Sequence, residues 1–336
     1  MAGHKVAPEA GTVLRTLVIG GTQFMGREIA LRLAARGHDV TVLHRRGSHD
    51  LGGGIHNLQA DRSDLRTLTR LLADHRFEAV FDLAYDWQKG TTADQVEAAA
   101  RACGDELQRY VFMSSVAVYG SGTDRRESDP LAPDNHPNPY VMHKASTERA
   151  LFRMHAASGF PVTTIRPPFV HGPRQPFYRE QFFWDRLLDG RAIVLPEDGE
   201  TPMHWAYSID VAGAAVRAIE VPEAAGEAFN VGYVEPVSQR SFVGALARTA
   251  GVEPTLVAVP REQILAAGGV LIGANLYFGE FLDPPPMTEV IEKAPRLLGF
   301  APTPMDEALQ TTFAWYLTQP RRPIDYTFED QLLRNR

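Results

Sequence analysis

The segment from Leu14 to Gly37 constrains the fold most. An apolar run, Leu14 to Ile19, leads into Gly20-Gly21-Thr22-Gln23-Phe24-Met25-Gly26. A helical pattern follows over Met25 to Arg36, with Ile29 and Leu33 on one face and Gly37 as a C-cap. Strand, glycine turn and helix in this order bring free backbone N–H groups and the positive helix end to one point, which suits a pyrophosphate. Gly20 permits the tight turn, and Gly26 lets helix and strand approach closely. A plain βα turn uses glycines in the same way, so the fragment alone leaves both readings open.

The alternation continues. Val40 to Leu43, Ala79 to Ala84, Tyr110 to Met113 and Val162 to Ile165 read as buried strands, and Leu65 to Ala73 and Thr92 to Cys103 as helices. Strands apolar throughout, alternating with helices, predict an α/β fold: a doubly wound parallel sheet covered on both faces. From about residue 173 the pattern weakens and Pro and Gly become frequent. Phe182 to Leu188, Phe242 to Ala250 and Asp306 to Leu317 read as helices; Ala192 to Leu195 and Ala228 to Val231 read as strands, the latter returning to the sheet. The 336 residues suit about two domains at roughly 150 residues each. The expected division is a flexible tail over 1–13, a dinucleotide-binding domain over 14–173 plus about 205–235, and a smaller mixed α/β substrate lobe over about 174–204 plus 236–336.

Composition excludes several classes. Acidic residues outnumber basic ones 41 to 34, a net charge of −7, which argues against a nucleic-acid or anionic-membrane partner. The single cysteine, Cys103, excludes an internal disulfide framework. The histidines show no HxxH or HExxH spacing, so no metal is expected. The start has no long apolar run behind Lys5, and the apolar stretch Ile264 to Leu276 falls short of the roughly 20 residues a spanning helix needs. A cytoplasmic protein is expected.

The end of the second strand discriminates between cofactors. An acid about 20 residues after the glycine turn would hold a ribose 2′-OH. The chain instead reads Val42-Leu43-His44-Arg45-Arg46. A guanidinium fork fits a 2′-phosphate, so NAD(P) is expected with NADP favoured. Ordinary exposed arginines are the plain alternative. Asp61 is placed to contact adenine, or to serve as a turn aspartate.

Ser114-Ser115-Val116-Ala117-Val118-Tyr119-Gly120 follows the YVFM strand, and Pro139-Tyr140-Val141-Met142-His143-Lys144 comes later. If Tyr140 opens a helix, Lys144 lies one turn on, on the same face. A lysine cation so placed favours tyrosinate, and such a tyrosine can trade a proton with a substrate hydroxyl while a hydride moves. A surface helix with the same spacing is the plain alternative. Only four lysines occur in the chain, which makes Lys144 easier to credit as needed.

Together these motifs resemble an extended short-chain dehydrogenase/reductase of the NAD-dependent epimerase/dehydratase family, over about residues 14 to 318. GGTQFMG resembles the family's glycine loop, with Gln23 where a middle glycine is usual. SSVAVYG and PYVMHK resemble its serine and Tyr/Lys motifs. RPPFVHGP (Arg166 to Pro173) resembles the segment passing the nicotinamide, with His171 where Tyr is usual, and GEAFNVG and KAPRLLGFAPTPMDEAL resemble the C-terminal motifs. The resemblance implies a Rossmann-type sheet and catalytic roles for Ser115, Tyr140 and Lys144. It implies cofactor contacts from Gly20, Thr22, Gln23, Phe24, Met25, Gly26, His44, Arg45, Arg46, Asp61, Leu83, Ala84, Pro167 and Val170, with Tyr140 and Lys144. Around the substrate it places Tyr85, Ser115, Val116, His171, Arg174, Arg179 and His204. It also implies a homodimer through the helices at 92–103 and 140–156.

The departures bear on substrate. Val116 and Ala117 follow Ser115 where the family's 4,6-dehydratases carry Asp-Glu, so dehydration is disfavoured. Met203 stands where the family's UDP-sugar epimerases carry a diphosphate arginine. The implied function is an NAD(P)-dependent epimerase or oxidoreductase acting on a secondary alcohol or ketone of a sugar, sugar-nucleotide or cyclitol-like substrate. The alternatives are an NADP-dependent ketoreductase of a natural-product pathway and a non-catalytic nucleotide- or RNA-binding member, because GGTQFMGR also resembles chloroplast stem-loop RNA-binding relatives. Phe177, Tyr178, Phe182, Phe183 and Trp184 suit lobe core or an apolar wall over the substrate. His143 is expected to face outward.

Overall fold

The computed structural model describes residues 12–321 and 323–334; residues 1–11 of the expected tail lie outside the described residues. The chain begins β1 (Arg15–Ile19), α1 (Phe24–Ala35), β2 (Asp39–His44), β3 (Ile55–Gln59), α2 (Leu65–His75), β4 (Ala79–Asp82), α3 (Ala93–Ala102) and β5 (Arg109–Met113). A 3₁₀ turn over Val116–Tyr119 precedes β6 (Gly122–Arg125), α4 (Pro139–Ser158) and β7 (Val162–Arg166). Then come β8 (Phe169–His171), α5 (Glu180–Leu188), β9 (Ile193–Pro196), β10 (Pro202–Met203), β11 (Trp205–Tyr207), α6 (Ser208–Glu220) and β12 (Glu227–Asn230). The chain closes with β13 (Val237–Ser238), α7 (Gln239–Ala250), β14 (Leu256–Val259), α8 (Arg261–Ala266), β15 (Met287–Glu289), α9 (Lys293–Leu298), α10 (Met305–Leu317) and α11 (Thr327–Arg334).

Two compact units result. One holds the described residues up to Pro168 with Ser208–Gly232 and Glu289–Pro302; the other holds Phe169–Tyr207, Tyr233–Thr288 and the described residues from Thr303 onward. The first unit ends at Pro168 because β8 pairs with β11 rather than with the large sheet. It takes in Glu289–Pro302 because α9 packs on α6 and β12.

The first unit is built on a seven-stranded sheet in the order β12-β7-β5-β4-β1-β2-β3, every pair parallel. It is the Rossmann-like α/β fold that the alternation predicts. α1 packs on α6, and α2, α3 and α4 form a second packed series. Central strands therefore lose both faces to helices, and Leu17, Val18, Ile19, Val80 and Phe81 are fully buried. Leu68, Leu72, Val96, Ala99 and Leu107 fill the core with Cys103. The Cys103 Sγ donates to Ala99 O, and burial pushes its thiol up to about 12. Two buried ion pairs tie the layers together. Arg62 grips Asp82 through two bonds of 2.6 Å, with Tyr110 Oη donating to the same carboxylate. Arg166 on β7 forks onto Glu148 on α4 and donates to Tyr119 Oη at 2.7 Å.

The second unit is less regular. β8 pairs with β11 and β9 with β14, and β10 lies between β13 and β15. Its core is aromatic: Phe183 meets Phe278 at 4.8 Å, Trp184 meets Tyr316 at 5.3 Å, and Trp205 stacks on Phe242 at 3.7 Å. Phe182, Phe183 and Trp184 are buried core residues, so this part of the aromatic run packs the unit. No helix among the described residues is long and apolar enough to cross a membrane.

Candidate functional site

The glycine turn joins β1 to α1. A methyl on Gly26 would lie 2.3 Å from Gly20 O, and one on Gly21 would lie 2.7 Å from Val42 Cγ1, so only glycine allows this approach. Gln23 takes extended backbone (φ −136°), which any residue adopts, and the left-handed conformation falls on Phe24 (φ 44°). The turn thus closes without the middle glycine. Gln23 is exposed, while Thr22, Phe24 and Met25 are half-buried. The first-turn N–H groups of α1 have no carbonyl inside their own helix, and together with the glycine cradle they fit a dinucleotide pyrophosphate. Leu83 N donates to Ile19 O, and Ala84 backbone lies 3.3 Å from where a Cβ on Gly20 would stand, so Leu83 and Ala84 flank the cradle.

At the end of β2, His44 Nε2 bonds Asn57 Oδ1 at 2.5 Å, and Gln59 donates to Arg45 O. This fixes the backbone while leaving Arg45 and Arg46 exposed. Burial pushes the His44 imidazole down, so the ring is the neutral partner. Asp61 accepts from Ser63 N and Oγ, which holds its carboxyl below the usual range, and Arg45 adds in the same direction.

Asn138 caps α4 by accepting from Tyr140 N at 3.0 Å, with Pro139 in the first turn. The helix therefore starts where Tyr140 and Lys144 share a face. Lys144 is buried, and its Nζ donates to Met113 O at 2.6 Å. That carbonyl ends β5, two residues before Ser115. Lys144 Nζ lies 5.9 Å from the Tyr140 ring centre and 5.5 Å from that of Tyr85. Burial pushes the Lys144 ammonium down to about 8. Ser115 Oγ accepts from Ala117 N at 3.2 Å, and Val116 N donates to Pro167 O, so both are pinned at the head of the 3₁₀ turn.

One partner of Tyr140, and the contacts that hold the segment bearing it, are not visible in the sequence pattern. Trp87 stacks on Tyr140 at 5.1 Å and 17°. His143 turns inward rather than outward: its Nδ1 bonds Tyr85 Oη at 3.0 Å. Gly90 (φ 78°) abuts the His143 ring. The signal for this segment was Asp86 four residues before Gly90, an aspartate able to cap the turn it begins.

The remaining residues lie in the second unit. Val170 is buried in β8 beside Ala206. His171 is fully buried, with Nε2 bonded to Tyr233 Oη and its ring stacked on Tyr207 and Tyr233; burial drives it down to about 3, so it is neutral. His204 is likewise buried, its Nε2 near Val234 O. Arg174 is exposed at a left-handed position, and Arg179 donates to Glu280 O while lying over Phe177. A cavity of about 400 Å³ at the opening ends of β1 and β2, lined partly by Arg15, Asp39 and His56, contains none of these residues. Among the described residues no group of three or more His, Cys, Asp or Glu is arranged to hold a metal.

The family model for the NAD dependent epimerase/dehydratase family matches residues 16–232. The chain is 26% identical to a 41 kDa chloroplast stem-loop binding protein of Arabidopsis thaliana, over 96% of this chain and 85% of that protein. It is 30% identical to a UDP-glucose 4-epimerase of Mycolicibacterium smegmatis, over 71% of this chain and 83% of that one. In fold it is similar to the Thermus thermophilus UDP-glucose 4-epimerase solved with NAD (TM-score 0.69, 23% identity, 91% of this chain and 100% of the other). The protein therefore belongs to the NAD dependent epimerase/dehydratase family and is an NAD-dependent enzyme of the extended short-chain dehydrogenase/reductase type.

Proposed function

We propose that the protein epimerises or oxidoreduces a secondary alcohol or ketone of a sugar, sugar-nucleotide or cyclitol-like substrate. The observation that carries this is the buried Lys144 Nζ, set between β5 O of Met113 and the rings of Tyr140 and Tyr85. When bound, the nicotinamide accepts or returns a hydride. Tyr140 takes the carbinol proton as the substrate C–H bond breaks, and gives it back on reduction. The Lys144 cation stabilises the tyrosinate between those steps. Ser115 holds the substrate oxygen, and Val116 leaves no carboxylate beside it, which favours hydride return over loss of water. Epimerisation returns the hydride to the opposite face of the ketone; net reduction releases the alcohol. Tyr140→Phe is expected to lower turnover by about 10²–10⁴-fold. Unchanged turnover in that variant would sink the reading.

NADP is the favoured cofactor, supported by exposed Arg45 and Arg46 at the end of β2. Arg45→Asp is expected to weaken NADPH binding about tenfold or more while NADH binding changes less. Equal effects on both would remove the preference. Nucleotide released by denaturing the purified protein separates the two modes: tightly held NAD supports epimerisation, loosely held NADPH supports net reduction and with it a ketoreductase. Pairing through α3 and α4 would make a homodimer, and sedimentation near 37.1 kDa at micromolar concentration would exclude it. Similarity to the stem-loop binding protein favours RNA binding as a second reading. The net charge of −7 opposes it, and a stem-loop RNA titration at two salt concentrations tests it.

A further inference from the structure

The segment after β4 forms a short strap that is locked upon itself. Asp86 Oδ1 accepts from Gln88 N at 2.9 Å and Lys89 N at 3.0 Å. Asp86 N donates to Thr91 Oγ1 at 3.0 Å, and Gly90 N donates to Asp86 O at 2.8 Å. The strap is also clipped to α4. Tyr85 Oη bonds His143 Nδ1, and Gly90 closes so tightly that a methyl there would sit 2.2 Å from His143 Cε1. Burial raises the Tyr85 phenol to about 12 and lowers His143, so the phenol donates and the imidazole accepts.

This construction holds one side chain in an unusual place. Trp87 is 56% exposed, whereas Trp184 and Trp205 are buried. Its indole meets the Tyr85 edge at 5.0 Å and lies nearly parallel to the Tyr140 ring. A large aromatic surface is thus presented to solvent beside the proton-carrying tyrosine, on a segment with little freedom to move. An indole face is electron-rich, and it attracts the weakly positive C–H face of a saturated ring.

We infer that Trp87 is a specificity-determining residue: the ring bearing the reacting carbinol, a pyranose or cyclitol, packs its C–H face against the Trp87 indole. Packing there holds the ring beside Tyr140 and disfavours open-chain alcohols, which have no flat face to offer. The inference rests on Tyr140 as the proton carrier.

The test uses the full-length protein saturated with NADH and, separately, NADPH. Intrinsic fluorescence is followed as UDP-glucose, methyl α-glucopyranoside and myo-inositol are added, and the Trp87→Phe signal is subtracted to isolate Trp87. At least one of these probes is expected to change the Trp87 signal. Trp87→Ala should weaken that probe about tenfold, Trp87→Phe by no more than about threefold, and dinucleotide affinity should move less than about twofold in either. For any probe that turns over, Trp87→Ala should raise KM and leave kcat within about threefold. Three results overturn the inference: no probe touches the Trp87 signal, Trp87→Ala weakens dinucleotide as much as probe, or kcat falls with KM unchanged, which would make Trp87 a prop for Tyr140. If wild type binds neither dinucleotide, or Tyr140→Phe turns over normally, the proposed function itself fails; dinucleotide binding with a silent Trp87 removes the specificity role alone.

Discussion

Two buried cations meet at α4, Lys144 on the helix and Arg166 reaching it from β7, and they are treated in opposite ways. Arg166 finds a carboxylate, Glu148, and a phenol, Tyr119; the pairing holds its guanidinium above the ordinary value. Lys144, one helical turn before Glu148, donates to the Met113 carbonyl among aromatic faces with no carboxylate in hydrogen-bond contact, and burial outweighs the pull of the Asp82 and Glu148 charges and lowers its ammonium to about 8. A buried cation with a carboxylate partner joins two elements and stays charged. A buried cation without one is held close to the point of losing its proton, which costs stability, and shifted groups of this kind cluster at functional sites. One helix therefore meets a cation held by a carboxylate and one held without such a contact, separated by a single turn.

Exchanging the partners should break this contrast. Lys144→Met removes the unpaired cation. Turnover is expected to fall about a thousandfold, while denaturant unfolding shows stability kept or raised because a desolvated charge is gone. Glu148→Gln strips the paired cation of its counter-charge. The loss of unfolding free energy is expected to be about 3–5 kcal/mol. A Lys144→Met protein that unfolds as readily as Glu148→Gln, or a Glu148→Gln protein of native stability, would erase the distinction.

pH sharpens it with a smaller effect. The folded pKa of Lys144 lies below the free-lysine value, so as pH rises the cation is lost first in the folded state. Activity that needs the cation should decline by about tenfold per unit above about 8. Between that pH and the free-lysine value the unfolded chain keeps a proton the folded chain has released. The Lys144 contribution to stability therefore rises with pH over the same window in which activity falls. Rates that are flat to well above 8 would place Lys144 outside the chemistry.

How much of this was legible in the residues varied with the range of the contacts. The glycine turn, the apolar strands and the Tyr140/Lys144 spacing are local patterns, and each lies on the element expected. β3 was harder to see, because IHNLQ is an edge strand with only Ile55 buried and lacks the continuous apolar run of β4 or β5. The strap was not legible. Trp87 meets Tyr140 across more than fifty residues of chain, a contact that no local pattern carries. The burial of His171 between Tyr207 and Tyr233, and that of His204, depend on packing within the second unit that their place in motifs does not show.

Cys103 carries a practical consequence. The only sulfhydryl in the chain caps α3 and is buried in the core with Leu68 and Leu72 of α2, its thiolate suppressed. The native molecule should ignore thiol reagents until that core opens. Its labelling rate then becomes a clock for opening of the dinucleotide-binding unit. A second cysteine introduced at an exposed position could carry a fluorophore alone, with no native residue needing removal first.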